Sequence, residues 1–212
     1  MRFERTKMLF KDDFEKIRSG KVLLLGVGGV GSFCLDSLVR TGVNDITIVD
    51  HDKFDLSNQN RQLHSELHEG ESKVLALQKH YKEVRVLELK VDEKWVSEFD
   101  FEPYDLVLDA IDDRVAKMAL AQKCYKKLIS ATGSAKRVDP TKVEVGTIWS
   151  AHGDKFASKI RYELKKRRFN KKYPVIYSSE SAKVKEKGSF MAVTATFGLV
   201  MSSLAIQRLI DR

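Results

Sequence analysis

The residues able to do chemistry cluster where apolar runs end. Gly26-x-Gly28-Gly29-x-Gly31-Ser32 joins the run KVLLLG (21–26) to the amphipathic stretch SFCLDSLVRTG (32–42). Gly26, Gly28 and Gly31 fit G-x-G-x-x-G. Glycines there let backbone approach a phosphate closely, and the helix N-terminus that follows favours its negative charge. Asp50 ends the next apolar run, DITIVD (45–50), 19 residues after Gly31. A carboxylate at that place can accept both hydrogen bonds of a ribose diol. The combination predicts nucleotide binding; the competing reading is a glycine turn needed only for helix–strand packing.

The following residues discriminate between nucleotides. A hydride-transfer cofactor needs a pyrophosphate cradle and few added charges, whereas ATP needs cations for a third phosphate and usually a Mg²⁺ ligand. Asp50 is followed by His51, Asp52 and then Ser57-Asn58-Gln59-Asn60-Arg61-Gln62. Arg61 and Lys73 are spaced to reach one phosphate chain from two elements. Asp109-Ala110-Ile111-Asp112-Asp113 ends another apolar run, where a carboxylate could hold Mg²⁺. Taken singly, the cations could be solvated, and Asp112 or Asp113 could cap the next helix. Together they favour ATP over NAD. The two cysteines, Cys34 and Cys124, are expected to be buried apolar side chains rather than nucleophiles. His51 and His64 flank the nucleotide site and receive no role.

Positioning these groups requires strands that end at one edge. KVLLLG is apolar throughout, as a strand buried on both faces must be. Strands are also expected at 45–50, 83–90, 104–110, 128–133, 141–150 and 173–179. Helices are expected at 32–42, from Ser72 as cap to about Tyr81, at 114–127, 154–168 and about 190–211. A short arm and a helix capped by Asp12 or Asp13 and stopped by Gly20 precede them. Alternating strands and helices predict a doubly wound, mostly parallel α/β sheet that binds ligands beyond the carboxyl ends of its strands. The division expected is an N-terminal arm and helix (1–20), an ATP-binding region (21–150) and a C-terminal part (151–212) completing the same domain.

Composition bounds the class. The chain has 212 residues, 38 Lys+Arg against 30 Asp+Glu and hence a formal charge of +8, with 42% hydrophobic residues. It is long enough to bury a core without disulfides or metals. No C-x-x-C is present, which excludes a zinc site built from cysteine pairs. Two distant cysteines fit a reduced, cytoplasmic protein. Residues 188–207 form an uncharged run of 20, long enough to span a bilayer. Phe190, Val193, Phe197, Val200, Met201 and Leu204 recur at helical spacing within it, which favours a buried core or interface helix over a membrane span.

Taken together, G-x-G-G-V-G-S, D-x-D, S-N-x-x-R-Q with the following Lys73, and D-A-x-D resemble the adenylating superfamily of ubiquitin-activating enzymes and the bacterial MoeB, ThiF and HesA proteins. The resemblance runs from about Arg2 to the C-terminus and implies a Rossmann-like ATP-binding fold. It implies that Asp50 and Asp52 hold the ribose region. Asn58, Arg61 and Lys73 would then lie on the phosphates, and Asp112 would support Mg²⁺. Arg2-Phe3-Glu4-Arg5 resembles the family's N-terminal R-[YF]-x-R, whose second arginine reaches into the partner subunit's ATP site. Arg5 would be that finger, and the protein a homodimer.

Asp139-Pro140-Thr141-Lys142-Val143-Glu144-Val145, Ser178-x-Glu180 and Val193-Thr194-Ala195-Thr196-Phe197-Gly198 are similar to segments of the tRNA threonylcarbamoyladenosine dehydratase branch. The carrier-protein activators typically have two zinc-binding cysteine pairs, absent here, so no zinc is expected. The implied activity is ATP-dependent adenylation and cyclisation of the modified tRNA base, with sulfur-transfer proteins as further partners. The alternatives are adenylation of a ubiquitin-like or sulfur-carrier protein, and a nucleotide-binding module without chemistry. Nine Lys or Arg and one acid between Lys155 and Lys172 agree with an RNA partner. Lys159, Lys165, Lys166, Arg167 and Arg168 are its expected contacts, with Lys136 and Arg137 adding charge nearby. The competing reading is a solubilising helix face.

Overall fold

The computed structural model describes residues 2–186 and 188–212. Its frame is one seven-stranded sheet: β1 (Lys21–Leu25), β2 (Asp45–Asp50), β3 (Arg85–Glu88), β4 (Leu106–Asp109), β5 (Leu128–Ala131), β6 (Val143–Thr147) and β7 (Pro174–Ser178). The spatial order is β3-β2-β1-β4-β5-β7-β6. All neighbours run parallel except β6, which is antiparallel to β7 at one edge. The chain reverses its direction of growth between β1 and β4. Two crossovers leave that point in opposite directions and open a crevice above the strand ends.

The uninterrupted apolar character of β1 follows from this central position. Val22 and Leu24 enter one core, and Leu23 and Leu25 enter the other. The first core lies under α3 (Gly31–Thr41), α4 (Lys73–His80) and α8 (Met191–Ile210). The second lies under α5 (Glu93–Glu98), α6 (Arg114–Cys124) and α7 (Lys155–Lys166). The sheet is therefore covered on both sides, as the sequence pattern requires.

Helix α8 is long and apolar enough to cross a membrane by length and composition, and just over half of that stretch is buried within this molecule. Val193, Phe197, Met201, Ala205 and Leu209 point into the first core. Gly198 lets α8 approach α3 closely: a Cβ there would lie 2.3 Å from the Val30 carbonyl oxygen. Ser202 Oγ donates to Ser37 Oγ across the same contact at 2.7 Å. Phe190, expected on the buried face, is instead exposed just before the helix begins.

Three local expectations need correction. The N-terminal arm is itself helical, forming α1 (Glu4–Phe10), a turn of 3₁₀ helix (Lys11–Asp13) and α2 (Phe14–Arg18). Asp13 precedes α2 but makes no side-chain cap bond; buried Phe14 and Ile17 hold α2 instead. Helix α5 was not expected, because six residues are too few to show a helical period. Its cap is Asp92, which accepts from Trp95 N at 2.8 Å. Ser72 does precede α4, yet its hydroxyl makes no cap bond and is buried without a partner among the described residues.

Candidate active site

A cavity of about 580 Å³ sits at the strand ends where the sheet changes direction. That volume is ordinary for a cofactor-sized ligand. The glycine turn forms its floor. Gly26 has φ +83°, and a Cβ there would lie 2.9 Å from the Ala110 carbonyl oxygen, so glycine is needed for both conformation and packing. A Cβ on Gly31 would lie 1.9 Å from the Gly26 carbonyl oxygen. Gly28 differs: a Cβ would meet nothing closer than Gln62 at 3.7 Å, an ordinary contact. The protein has no packing need for glycine at 28, whose open side borders the cavity. Gly29 also lines it, whereas Gly31 and Ser32 do not. Ser32 is buried and accepts from Leu63 N at 3.3 Å, tying α3 to the next segment.

Asp50 ends β2 with both carboxylate oxygens engaged. One accepts from Val27 N at 2.9 Å and the other from Asp52 N at 2.9 Å. It thereby braces the glycine turn and keeps lone pairs for further donors. Residues 51–72 have no periodicity, yet they are well anchored. Phe54 is buried, Phe54 N bonds Glu71 O at 2.9 Å, and Lys73 N bonds Asp52 O at 3.0 Å. Asp55 and Asn58 form a capping box around the turn Leu56–Asn58, so Asn58 both lines the cavity and shapes the loop.

Both expected cations line the cavity. Arg61 Nη1 donates to Ser57 O at 2.7 Å and to Asn60 Oδ1 at 2.8 Å. That fixes the guanidinium at the cavity wall and leaves its Nε and Nη2 donors unpaired among the described residues. Lys73 is buried at the start of α4, and its Nζ lies 3.0 Å from Asp52 Oδ2. Asp113 caps α6, accepting from Ala116 N at 2.8 Å. Asp112, by contrast, is exposed on the cavity wall and has no hydrogen bond or ion pair among the described residues.

A divalent cation can be tested against this donor set. Asp50, His51 and Asp52 bring three ligand-type atoms together, but Asp50 holds two amides and Asp52 holds Lys73. Asp112 is the uncommitted carboxylate. Mg²⁺ is typically held by one or two carboxylates plus substrate phosphates, so the set fits a cation bound together with a nucleotide.

Arg5 is exposed on α1 and does not line this chain's own cavity. Both cysteines are buried. Desolvation pushes the Cys34 thiol well up; burial, with Asp109 nearby, pushes Cys124 up to about 12. Neither is a thiolate near neutral pH.

On α7, Asp154 caps the helix with bonds from Phe156 N and Ala157 N, while Ala157, Ile160 and Leu164 are buried. Lys159, Lys165 and Arg168 are exposed and lack partners among the described residues. Lys166 instead lies over the Tyr162 ring and near Glu163, and Arg167 bonds Glu93 and Gln122. Arg137 is not part of a basic surface: it is buried, pairs with Asp154 and donates to the carbonyls of Gly133, Ala135 and Glu180. It is consumed in holding the 133–137 loop to α7. Lys136 is only partly exposed and donates to Lys185 O.

Three features of the cavity were not assigned from the sequence. Gln62 lines it with a buried side-chain oxygen that has no partner among the described residues. Val49, Leu89, Val91 and Ile111 supply apolar wall, and Ser134, Ser189 and Thr194 close the opposite rim. Gln62 stood in S-N-x-x-R-Q and was the one legible signal. The rim residues come from distant segments that only the folded chain brings together.

Several known proteins are similar to this chain. The chain is 36% identical to the tRNA threonylcarbamoyladenosine dehydratase of Bacillus subtilis over 191 residues, covering 84% of this chain and 75% of that protein. It is 33% identical to tRNA threonylcarbamoyladenosine dehydratase 2 of Saccharomyces cerevisiae, over 82% of this chain but 42% of that longer protein. A crystal structure of the E. coli tRNA N6-threonylcarbamoyladenosine dehydratase in complex with ATP superposes with a TM-score of 0.92 at 28% identity, covering 99% of this chain and 94% of that one. The ThiF family model matches residues 3–212. With the glycine turn, Asp50, Arg61, Lys73 and Asp112 gathered on one cavity, this chain belongs to the ThiF family.

Proposed function

We propose that the chain is an ATP-dependent dehydratase that adenylates the carboxylate of threonylcarbamoyladenosine in tRNA and closes it to its cyclic form. The observation carrying this reading is one cavity that joins a glycine turn, two cations and an uncommitted carboxylate, in a chain 36% identical to a dehydratase of that name.

The chemical difficulty is that a carboxylate resists attack and hydroxide leaves poorly. Attack of the carboxylate on the α-phosphorus of ATP forms an acyl-adenylate and expels pyrophosphate. An internal nitrogen of the modification then attacks the activated carbonyl. AMP leaves with the former carboxylate oxygen, and the nitrogen loses its proton.

The chain's own groups fit the first step. Asp50 meets the ribose, with Asp52 beside it. The apolar wall of Val49, Leu89, Val91 and Ile111 borders the base. The amides of the glycine turn, Asn58, Arg61 and Lys73 face the phosphates, where positive groups fixed in advance stabilise the charge that develops on pyrophosphate. Asp112 would hold Mg²⁺, which when bound neutralises phosphate charge. Arg5 would serve the site of a second subunit in a homodimer. Lys159, Lys165 and Arg168 offer the most available cations for tRNA phosphates, with Lys166 and Arg167 beside them. Residues 151–212 belong to the same domain as the ATP site, and the protein works in the cytoplasm.

Incubation with ATP, Mg²⁺ and threonylcarbamoyl-modified tRNA, followed by mass spectrometry of the nucleosides, tests the reading. Loss of one water from the modified nucleoside, with AMP and pyrophosphate formed, is expected. An unchanged nucleoside, with ATP–pyrophosphate exchange promoted instead by a small carrier protein, would select carrier-protein adenylation.

A further inference from the structure

Beneath the cavity lies an ion pair to which the reaction assigns no part. Lys117 of α6 and Asp109 at the end of β4 are 1% and 0% exposed, with Nζ 2.8 Å from Oδ1. Every polar atom of the group has a partner. Lys117 Nζ also reaches Ala131 O at 2.7 Å and Ser130 Oγ at 3.4 Å. Ser130 Oγ donates to Asp109 Oδ2 at 2.6 Å. Asp109 Oδ1 in addition accepts from Ile111 N at 3.2 Å.

The last bond reaches the site. Ile111 adjoins Asp112, so Asp109 fixes the turn that presents Asp112 to the cavity. Gly26 packs on the outer side of this turn, against Ala110 and Ile111. The turn is thus clamped between the glycine loop above and the ion pair below.

Stability alone does not account for such a pair. Desolvating two charges offsets much of their attraction, and apolar residues of similar volume commonly serve as well or better. What the charged group supplies is a fixed direction for the Ile111 amide. We propose that Lys117, Asp109 and Ser130 are positioning residues that hold the Asp109–Asp112 turn and aim the Asp112 carboxylate at a divalent cation bound with the nucleotide. This rests on the reading of Asp112 as the cation ligand.

The test uses the full chain with ATP and Mn²⁺ as probe, the bound cation being read by electron paramagnetic resonance. A triple variant (Asp109→Val, Lys117→Met, Ser130→Ala) replaces the polar triad by an apolar one. It is expected to unfold within a few degrees of the parent chain or above it. It is expected to bind ATP without metal as the parent does, and to lose about tenfold or more in Mn²⁺ affinity, as supporting partners of metal ligands commonly do. A merely structural triad would leave Mn²⁺ affinity unchanged.

Asp112→Asn is the control for the reading beneath. If it weakens Mn²⁺ binding and the triple variant does not, the positioning role is overturned. If Asp112→Asn binds Mn²⁺ as the parent does, the ligand assignment fails and the positioning role falls with it. Should the triple variant not fold, Ser130→Ala alone removes one bond to Asp109 and is expected to weaken Mn²⁺ about two- to threefold. Parent affinity in that variant would overturn the proposal.

Discussion

Two lysine–aspartate pairs, one lining the cavity and one beneath it, differ in what surrounds them. Lys117–Asp109 is sealed, with both side chains out of water and every donor and acceptor used. Lys73–Asp52 is open: the Lys73 side chain is 7% exposed, but that of Asp52 is 52% exposed, and the contact is 3.0 Å. In the open pair water reaches Asp52, so that carboxylate can release Lys73 to another anion at smaller cost than a sealed one could. In the sealed pair any exchange leaves a charge stranded. The first geometry suits a cation that must turn to a phosphate, and the second suits a fixed support. One residue type does different work according to what closes around it.

The largest effect should come from breaking the sealed pair on one side. Lys117→Met strands the Asp109 carboxylate in the core and should lower stability by about 3–5 kcal/mol, read by chemical denaturation. A change under about 1 kcal/mol would mean that the pair is not sealed. Breaking the open pair should reverse the pattern. Lys73→Met should leave the melting temperature within a few degrees while weakening ATP at least about tenfold, or about 1.4 kcal/mol, by calorimetry. Unchanged ATP affinity would remove Lys73 from the phosphate site.

The glycine turn sharpens the same distinction between support and contact. Gly31→Ala forces a Cβ onto the Gly26 carbonyl and should destabilise the fold by about 1–3 kcal/mol or more. Gly28→Ala has room in the protein, so the fold should hold while ATP binding falls. If Gly28→Ala binds ATP normally, the cavity's ligand does not approach the backbone there.

The smallest effect concerns a proton on a histidine outside the cavity lining. His64 stacks on His80 with ring centroids 3.8 Å apart, and its Nε2 lies 3.3 Å from the Tyr81 hydroxyl. Burial, then His80 and more weakly His68, hold its pKa below the ordinary value, while Glu66 and Asp36 oppose the shift. The unfolded chain therefore takes up this proton first. The contribution to stability is present above about pH 6.5 and is lost as pH falls through the lowered folded value. Melting temperature should decline across that window, and His64→Gln should flatten the decline. An identical slope in the variant would assign it to other groups.

The sequence revealed elements whose side chains repeat a period. β1 and β2 fall where apolar runs place them because strands buried on both faces must be apolar throughout. Arg61 was read from its place in S-N-x-x-R-Q and Asp112 from D-A-x-D, whereas the glycine turn, Asp50 and Lys73 were legible because each ends such an element or begins the next. The 51–72 segment was not, since its order comes from buried Phe54, the Asp55–Asn58 capping box and backbone bonds, which leave no periodic trace. Arg137 looked like surface charge for the same reason that Lys117 was passed over. A cation in a polar stretch is usually solvated, and only the tertiary structure shows Asp154 and Asp109 waiting for these two. Asp109 itself was overshadowed by its neighbour in D-A-x-D.

The central claim is that the carboxylate is activated by adenylation, and isotope transfer measures it directly. Threonylcarbamoyl-modified tRNA carrying ¹⁸O in the carboxylate is turned over with ATP, and the small products are weighed. One labelled oxygen in AMP, with unlabelled pyrophosphate, is the predicted result. Label in inorganic phosphate or in water, with none in AMP, would contradict it.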